Sequence, residues 1–308
     1  MYPQKNICRG LAISLVALAS QSAFAGGYQL NAQSAKGLGR AFAGDAVIAD
    51  DASAMARNAA AMALFDRDSL SFGLTIIDTD ITVKDGTYNS LMGQSSDTSY
   101  DQAGDTSYAP NFYYIHPIND KWAVGFDAFS NFGTKTEFDD SFNGTEYGGL
   151  TDVKSVNLGA ALSYRVNDHW SIGGGVDVIY GKGELKRDFE MPKLLGGNTI
   201  TALDVDADGW AVGANIGTVL ELDDNNRFGL SYRFSPKLEA DGDISVGGAK
   251  PEADTLKLPL PDIVEFSGYH KLNPSFAMHY SVQYVSWNEF DTLDTENLGA
   301  IKKYDWVD

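Results

Sequence analysis

Residues able to do acid–base or nucleophilic chemistry are few in this sequence, and they do not cluster. The four histidines are His116, His169, His270 and His279, and no two stand at the spacing of a metal-ligand pair. No G-x-S-x-G, P-loop or dinucleotide-binding glycine motif lies between a strand and a helix, so no cofactor is expected. His279 and Ser281 fall on one strand face, as a membrane-embedded lipid hydrolase would need, but nothing marks the serine as a nucleophile. Asp127, Asp177, Glu221 and Glu265 alternate with apolar neighbours and read as a water-facing wall rather than as an acid/base pair. The sole cysteine, Cys8, precedes the mature chain, which excludes a disulfide framework, a thiolate metal site and a cysteine nucleophile.

Lys5 and Arg9 precede the apolar run 11–19 and then Ala23-Phe24-Ala25, which together read as a signal peptide over residues 1–25. Its loss takes the basic count from 23 to 21 against 42 acidic residues, a net charge of −21, which repels nucleic acid. No later segment offers the roughly 20 apolar residues of a membrane helix. Glycine and aromatics are plentiful, however, and a transmembrane β-barrel never shows a long apolar run, because its lipid-facing residues alternate with polar ones.

That alternation is what the chain shows. Trp210, Val212, Ala214, Ile216, Thr218, Leu220 and Leu222 share one face, while Ala211, Gly213, Asn215, Gly217 and Glu221 share the other, with Val219 the exception. Strands are predicted at 69–83, 110–118, 122–132, 155–166, 169–186, 208–222, 227–237, 258–269 and 276–290, with a tenth starting at Tyr304. Tight polar turns at 119–121, 167–168, 223–226 and 272–275 alternate with long connections at 84–109, 133–154, 187–207 and 238–257. In an up-and-down barrel this gathers the turns at the periplasmic end and the loops outside, with aromatics such as Trp122, Trp170, Trp210 and Tyr180 in the two interfacial girdles.

Residues 26–68 break the pattern. Eleven alanines stand in the twenty-nine residues from Gly37 to Phe65, with no period of two. A segment this compact, entering from the periplasm, is placed to plug a lumen that wall side chains cannot fill.

At these residues a resemblance becomes specific. The stretches "AGDAVIADDASAMARNAAAMALF", "SNFGTKTEF" and "LPLPDIVEFSGYHKLNPSFAMHYSVQYVSWNEF" closely resemble the FadL-type long-chain fatty acid transporters of the Gram-negative outer membrane. The resemblance implies an all-β fold: a fourteen-stranded antiparallel barrel with an N-terminal lumenal hatch. The domains would be a signal peptide (1–25), a hatch (26–68) and a barrel (69–308) with nine to ten strands, incomplete at the C-terminus. It further implies a monomeric, non-enzymatic channel in contact with outer-membrane lipid, in which long-chain fatty acids pass from an apolar pocket, past a rearranging hatch, to a lateral exit. Ser130, Asn131, Phe132 and Gly133 match the family's kink in the third strand, where that exit opens. Arg187, and more weakly Lys303, match cations for the ligand carboxylate. Asn58, Ala59 and Ala60 stand where the family's hatch carries Asn-Pro-Ala against the kink, and the missing proline removes a rigid turn. The alternatives are a channel for aromatic hydrocarbons or other hydrophobic compounds, and the lipid hydrolase.

Overall fold

The computed structural model describes residues 28–31, 33–89, 95–139, 141–190, 199–247, 252–289, 292–297 and 299–303, so the expected signal peptide lies outside it. The strand β1 (Ser69–Asp78) leads to a long connection holding the hairpin β2 (Thr87–Asn89) and β3 (Ser95–Asp97). There follow β4 (Thr106–Pro117), β5 (Trp122–Phe129), β6 (Gly133–Glu137), β7 (Leu150–Asn167), β8 (Trp170–Glu190) and β9 (Thr199–Asp223). The chain continues through β10 (Asn226–Phe234), β11 (Lys237–Val246), β12 (Glu252–Pro259), β13 (Ile263–Asn273), β14 (Phe276–Val285), β15 (Thr292–Thr295) and β16 (Gly299–Lys303). All but β2 and β3 form one antiparallel sheet in the order β1, β4, β5, β7, β8, β9. Beyond β9 it continues near the turns through β10, β13 and β14, and near the loops through β11, β12, β15 and β16.

The tight turns share one chemistry. Asn119, Asn167, Asp223 and Asn273 each accept the backbone N–H two residues on, from Lys121, His169, Asn225 and Ser275 at 2.8–2.9 Å. These Asx turns fix four hairpins at one end of the sheet. The face pointing away from the lumen is apolar and uncovered, with Phe72 81% and Val212 65% exposed. Aromatic pairs sit at its two margins, Trp122 with Tyr164 at 4.5 Å between centroids and Tyr180 with Trp210 at 4.9 Å. No helix among the described residues is long and apolar enough to cross a membrane.

Several boundaries differ from expectation. The stretch 187–207 is not a simple loop, because β8 and β9 stay paired as far as Glu190 and Thr199. Above the girdle both strand faces meet water, so the alternation that betrays a strand disappears while the hydrogen-bond ladder continues. The stretch 238–257 is largely the hairpin of β11 and β12 rather than loop. The third strand halts at Phe129 instead of residue 132, β14 gives way after Val285 to a 3₁₀ turn at Trp287–Glu289, and β16 starts at Gly299. Tyr304 lies outside the described residues.

Inside the curve of the sheet lies the alanine-rich segment. Ser34 caps the short helix Ala35–Gly39 through the N–H of Gly37 at 2.9 Å, and Asn58 caps the 3₁₀ helix Ala59–Leu64 through the N–H of Ala60 at 3.0 Å. Ala52, Met55, Ala56, Ala59 and Met62 are buried against Tyr113, Ile115, Ala123 and Ala161 of β4, β5 and β7. The wall admits this segment by giving up side chains of its own. Gly173 and Gly217 are register partners, and a Cβ on either would collide with the backbone of Ala60 or with Asn58 Oδ1.

Candidate functional site: an interrupted wall and the apolar chamber behind it

Between β5 and β6 the chain leaves the sheet. Phe129 still pairs with Asn157, Gly133 pairs with Lys154, and the residues between them turn inward. Phe132 becomes 1% exposed, held by its N–H to Ser155 Oγ at 3.1 Å, while its carbonyl accepts from Ser155 N at 3.0 Å. On the vacated side lies a cavity of about 430 Å³, lined among others by Leu30, Tyr108, Pro110, Ser130, Gly133 and Val156.

The inner side of this break is occupied by the start of the described chain. Gln29 bridges to Phe132, Leu30 N donates to Asn131 O at 2.6 Å, and Gly133 N donates to Tyr28 O at 2.9 Å. Gln33 Nε2 donates to Asn131 Oδ1 at 3.1 Å. Of the expected hatch motif, Asn58 Nδ2 donates to Thr218 O of β9 at 3.1 Å and to Ala46 O at 3.0 Å, while Ala59 shares an apolar cluster with Phe129, the last residue before the break. The hydrogen bonds to Asn131 and Gly133 from inside come from Tyr28, Leu30 and Gln33.

Phe132 belongs at once to the break and to an apolar cluster with Ile179, Ala211, Leu238, Leu260, Ile263 and Trp287. Tyr28 packs edge-on to Phe132 at 5.7 Å and to Trp287 at 5.1 Å. A second cluster of Val205, Ala207, Ala240, Ile244 and Leu256, joined by Leu185 and Leu203, extends it toward the loops. Two bulges build this chamber. On β10 the buried positions are the odd Ser231 and Arg233, whereas on β11 they are the even Leu238, Ala240 and Ile244. On the neighbouring crossing Leu256 and Leu260 give way to Ile263, Glu265 and Ser267. Each shift lies beside a proline, Pro236 on one strand and Pro259 and Pro261 on the other, where no ladder N–H is available. A one-residue shift sends every later side chain to the opposite face, so on these two crossings the inward residues change from Ser231, Arg233, Glu265 and Ser267 below the bulges to Leu238, Ala240, Ile244 and Leu256 above them.

Arg187 lies on the inward face of β8, in register with Leu203 of the upper cluster. Its guanidinium donates to Leu150 O at 2.6 Å, Lys186 O at 2.7 Å and Thr151 Oγ1 at 2.7 Å, which places it on β7 a few residues beyond the wall break. Lys303 pairs through its backbone with Thr292, and its side chain lies outside the described residues.

The hydrolase reading loses its geometry. Ser281 Oγ bonds Ser267 Oγ at 2.6 Å and accepts Gly44 N at 3.0 Å, while His279 Nδ1 has no hydrogen-bond partner. The described residues hold no group of three or more histidine, cysteine or acidic side chains suited to a metal. Three of the inward carboxylates form ion pairs, Asp177 with Arg233, Glu221 with Arg165 and Glu265 with Arg57. The pairs do a second job that spacing along the sequence could not reveal. Arg165 also donates to Ala63 O at 2.8 Å and Arg233 to Ala56 O at 3.0 Å, while Arg227 reaches Ile48 O at 3.2 Å.

Comparison with known proteins follows the same lines. The family described as "Outer membrane protein transport protein (OMPP1/FadL/TodX)" matches residues 16–308. A long-chain fatty acid transport protein of Escherichia coli O6:H1 is 35% identical over 94% of this chain and 72% of its own length. Among solved structures, a Pseudomonas aeruginosa FadL homologue superimposes with a TM-score of 0.80 at 21% identity, over 90% of this chain and 74% of the other. The Ralstonia pickettii toluene transporter TbuX gives 0.61 at 18% identity, over 82% and 72%.

Proposed function

The chain belongs to the OMPP1/FadL/TodX family of outer membrane transport proteins, and from that premise we propose that it carries long-chain fatty acids passively through the outer membrane by way of the interrupted wall. It transports hydrophobic substrates and is not an enzyme. The observation that supports the finer reading is the double role of Phe132, which closes the break in the third crossing and also lines the apolar chamber. An alkyl chain gains about 0.8 kcal/mol per CH₂ buried, so the chamber retains a long-chain ligand without any chemistry. The ligand carboxylate lies toward Arg187, whose planar fork suits bidentate recognition. Residues 26–68 act as the hatch. The part that must yield is 28–33, because that segment fills the break, and the Asn58-Ala59-Ala60 turn holds the hatch to β9 instead.

Uptake of labelled oleate by outer-membrane-proficient cells lacking their own fatty acid transporter tests the route. Ser130→Arg places a long cation in the break and is expected to abolish uptake while leaving heat-modifiable barrel migration unchanged. Undiminished uptake would reject lateral exit. Accumulation of toluene but not oleate by the unaltered chain would reject the ligand while leaving the channel.

A further inference from the structure

Arg57 joins two parts of the alanine-rich region that are otherwise fastened apart. It ends the short helix Ala54–Arg57, and its side chain is 8% exposed. Its Nη2 donates to Gln33 Oε1 at 2.6 Å and to Asn31 Oδ1 at 3.1 Å, both in the segment that fills the break. Nη1 donates to Glu265 Oε2 of β13 at 3.4 Å. Gln33 carries the contact into the break itself, since its Nε2 donates to Asn131 Oδ1. Gln29 reaches the same carboxylate by a second route: its Nε2 donates to Gln283 Oε1 at 3.3 Å, and Gln283 Nε2 donates to Glu265 Oε2 at 3.4 Å. An arginine fork that takes two amide oxygens and a carboxylate fixes orientation as well as distance.

The fastenings divide at this residue. Positions 44–63 are held to the wall through Ser71, Ser281, Arg165, Arg227, Arg233 and the bond from Asn58 to Thr218 O. The segment 28–33 bonds instead to Asn131, Gly133, Gln283 and Arg57. We propose that Arg57 is the positioning residue that keeps 28–33 seated in the break, so that loosening its fork frees this segment while 44–63 stay in the lumen. The inference rests on the break being the exit. Opening then breaks only a handful of hydrogen bonds, and the lumen remains shut to hydrophilic solutes. Gln33 sets the strength of the hold. Its oxygen is a neutral acceptor at the shortest of the three contacts, where a carboxylate would bind the fork about twice as strongly.

Cys8, the sole cysteine, lies in the expected signal peptide, so a nitroxide on Leu30→Cys or on Ala63→Cys reports one site. In the full chain, Arg57→Met, which keeps the stem and removes the fork, is expected to raise label mobility at 30 and not at 63. Oleate uptake should rise about threefold or more, because the open break is populated more often, and no steady conductance should appear. Arg57→Lys, a point charge without the planar fork, should fall between. Gln33→Glu should act in the opposite direction, lowering mobility at 30 and slowing uptake, an outcome that general loosening of the fold cannot give. Unchanged mobility at 30 in both Arg57→Met and Gln33→Glu overturns the proposal, and so does a rise at 63 with steady conductance. Mobility that changes at 30 in these directions with uptake unaltered upholds the hold of Arg57 and rejects the break as the exit.

Discussion

Arg187 tests the ligand at the scale of one side chain. Its guanidinium rests on Leu150 O, Lys186 O and Thr151 Oγ1, so a bound carboxylate competes with partners that already hold the fork in one orientation. Such preorganisation lowers the entropy lost on binding. Arg187→Ala is expected to weaken oleate binding at least tenfold, about 1.4 kcal/mol, and to leave binding of an uncharged alkane unchanged. Equal loss for both would show that the substitution merely loosens the wall. Lys135, on the rim of the break, makes a second statement of this kind. It lies at the level of Asp152, beyond the aromatic margin, and its ammonium bonds the Asp105 carboxylate, tying β6 to the approach of β4. Lys135 holds the Asp105 carboxyl below its usual range, and Asp105 raises Lys135 in turn. A depressed carboxylate stabilises above its unfolded pKa and loses that contribution as pH falls through the folded value. A raised lysine loses it only in strong alkali. Amide protection factors in β6 should therefore hold through neutral pH and fall below about pH 4, and Lys135→Met should lower them at pH 7 as well. The type of these residues was legible in the sequence, but their partners on other strands, 30 to 37 residues away along the chain, were not.

Among the elements, β10 to β13 show what pattern reading can and cannot recover. In β7, β8 and β9 the two faces meet different media along most of their length, so alternation alone revealed them. In β11 the alternation is present, Leu238 and Ala240 against Glu239 and Asp241, but its phase is reversed relative to β10 and it ends in water. A reader following one phase meets an apparent end of strand and infers a loop, as was expected for 238–257. The extra residue at the bulge is what makes the difference. Loss of the bulge with the residue count kept would turn Glu239, Asp241 and Asp243 into the chamber, where each unpaired carboxylate costs several kcal/mol. Deletion of Pro236 removes the extra residue itself, so that Ser235 and Leu238 fall in one regular alternation and Leu238, Ala240 and Ile244 still face inward. The expected outcome is that the deletion variant keeps the heat-modifiable folded form, and its loss would show that the bulge does more than set the phase of the strand. The break between β5 and β6 was partly legible through Ser130 and Gly133, but its occupant was not, because local sequence cannot show that residues 28–33 pair with a strand about a hundred positions later.

Over the whole molecule, the alanine-rich segment and the wall were shaped for one another. Gly173 and Gly217 make room for Asn58 and Ala60, and a bulkier residue there has nowhere to go but into the segment. Gly217→Val is expected to displace it, so that single-channel recordings show a large steady conductance and cells become sensitive to a bulky hydrophilic antibiotic, with the barrel still assembled. A closed channel in Gly217→Val would mean that the segment does not plug the lumen. The compact packing of the segment was readable from composition, since small residues without a period of two must pack compactly. Its fastening was not readable, because it lies between residues of the segment and wall residues distant in the chain. Beside the contacts of Arg57, Asn58 and the two methionines, much of that fastening is made to main-chain atoms: Arg165, Arg227 and Arg233 hold the carbonyls of Ala63, Ile48 and Ala56, while Ser281 and Ser71 receive the N–H groups of Gly44 and Ala52. A grip on peptide groups is blind to what the segment's side chains are. Positions of the segment held only in this way can therefore change sequence over generations, so long as the path and the small volume are kept, and Ala59 stands where an alanine rather than a proline leaves those bonds untouched.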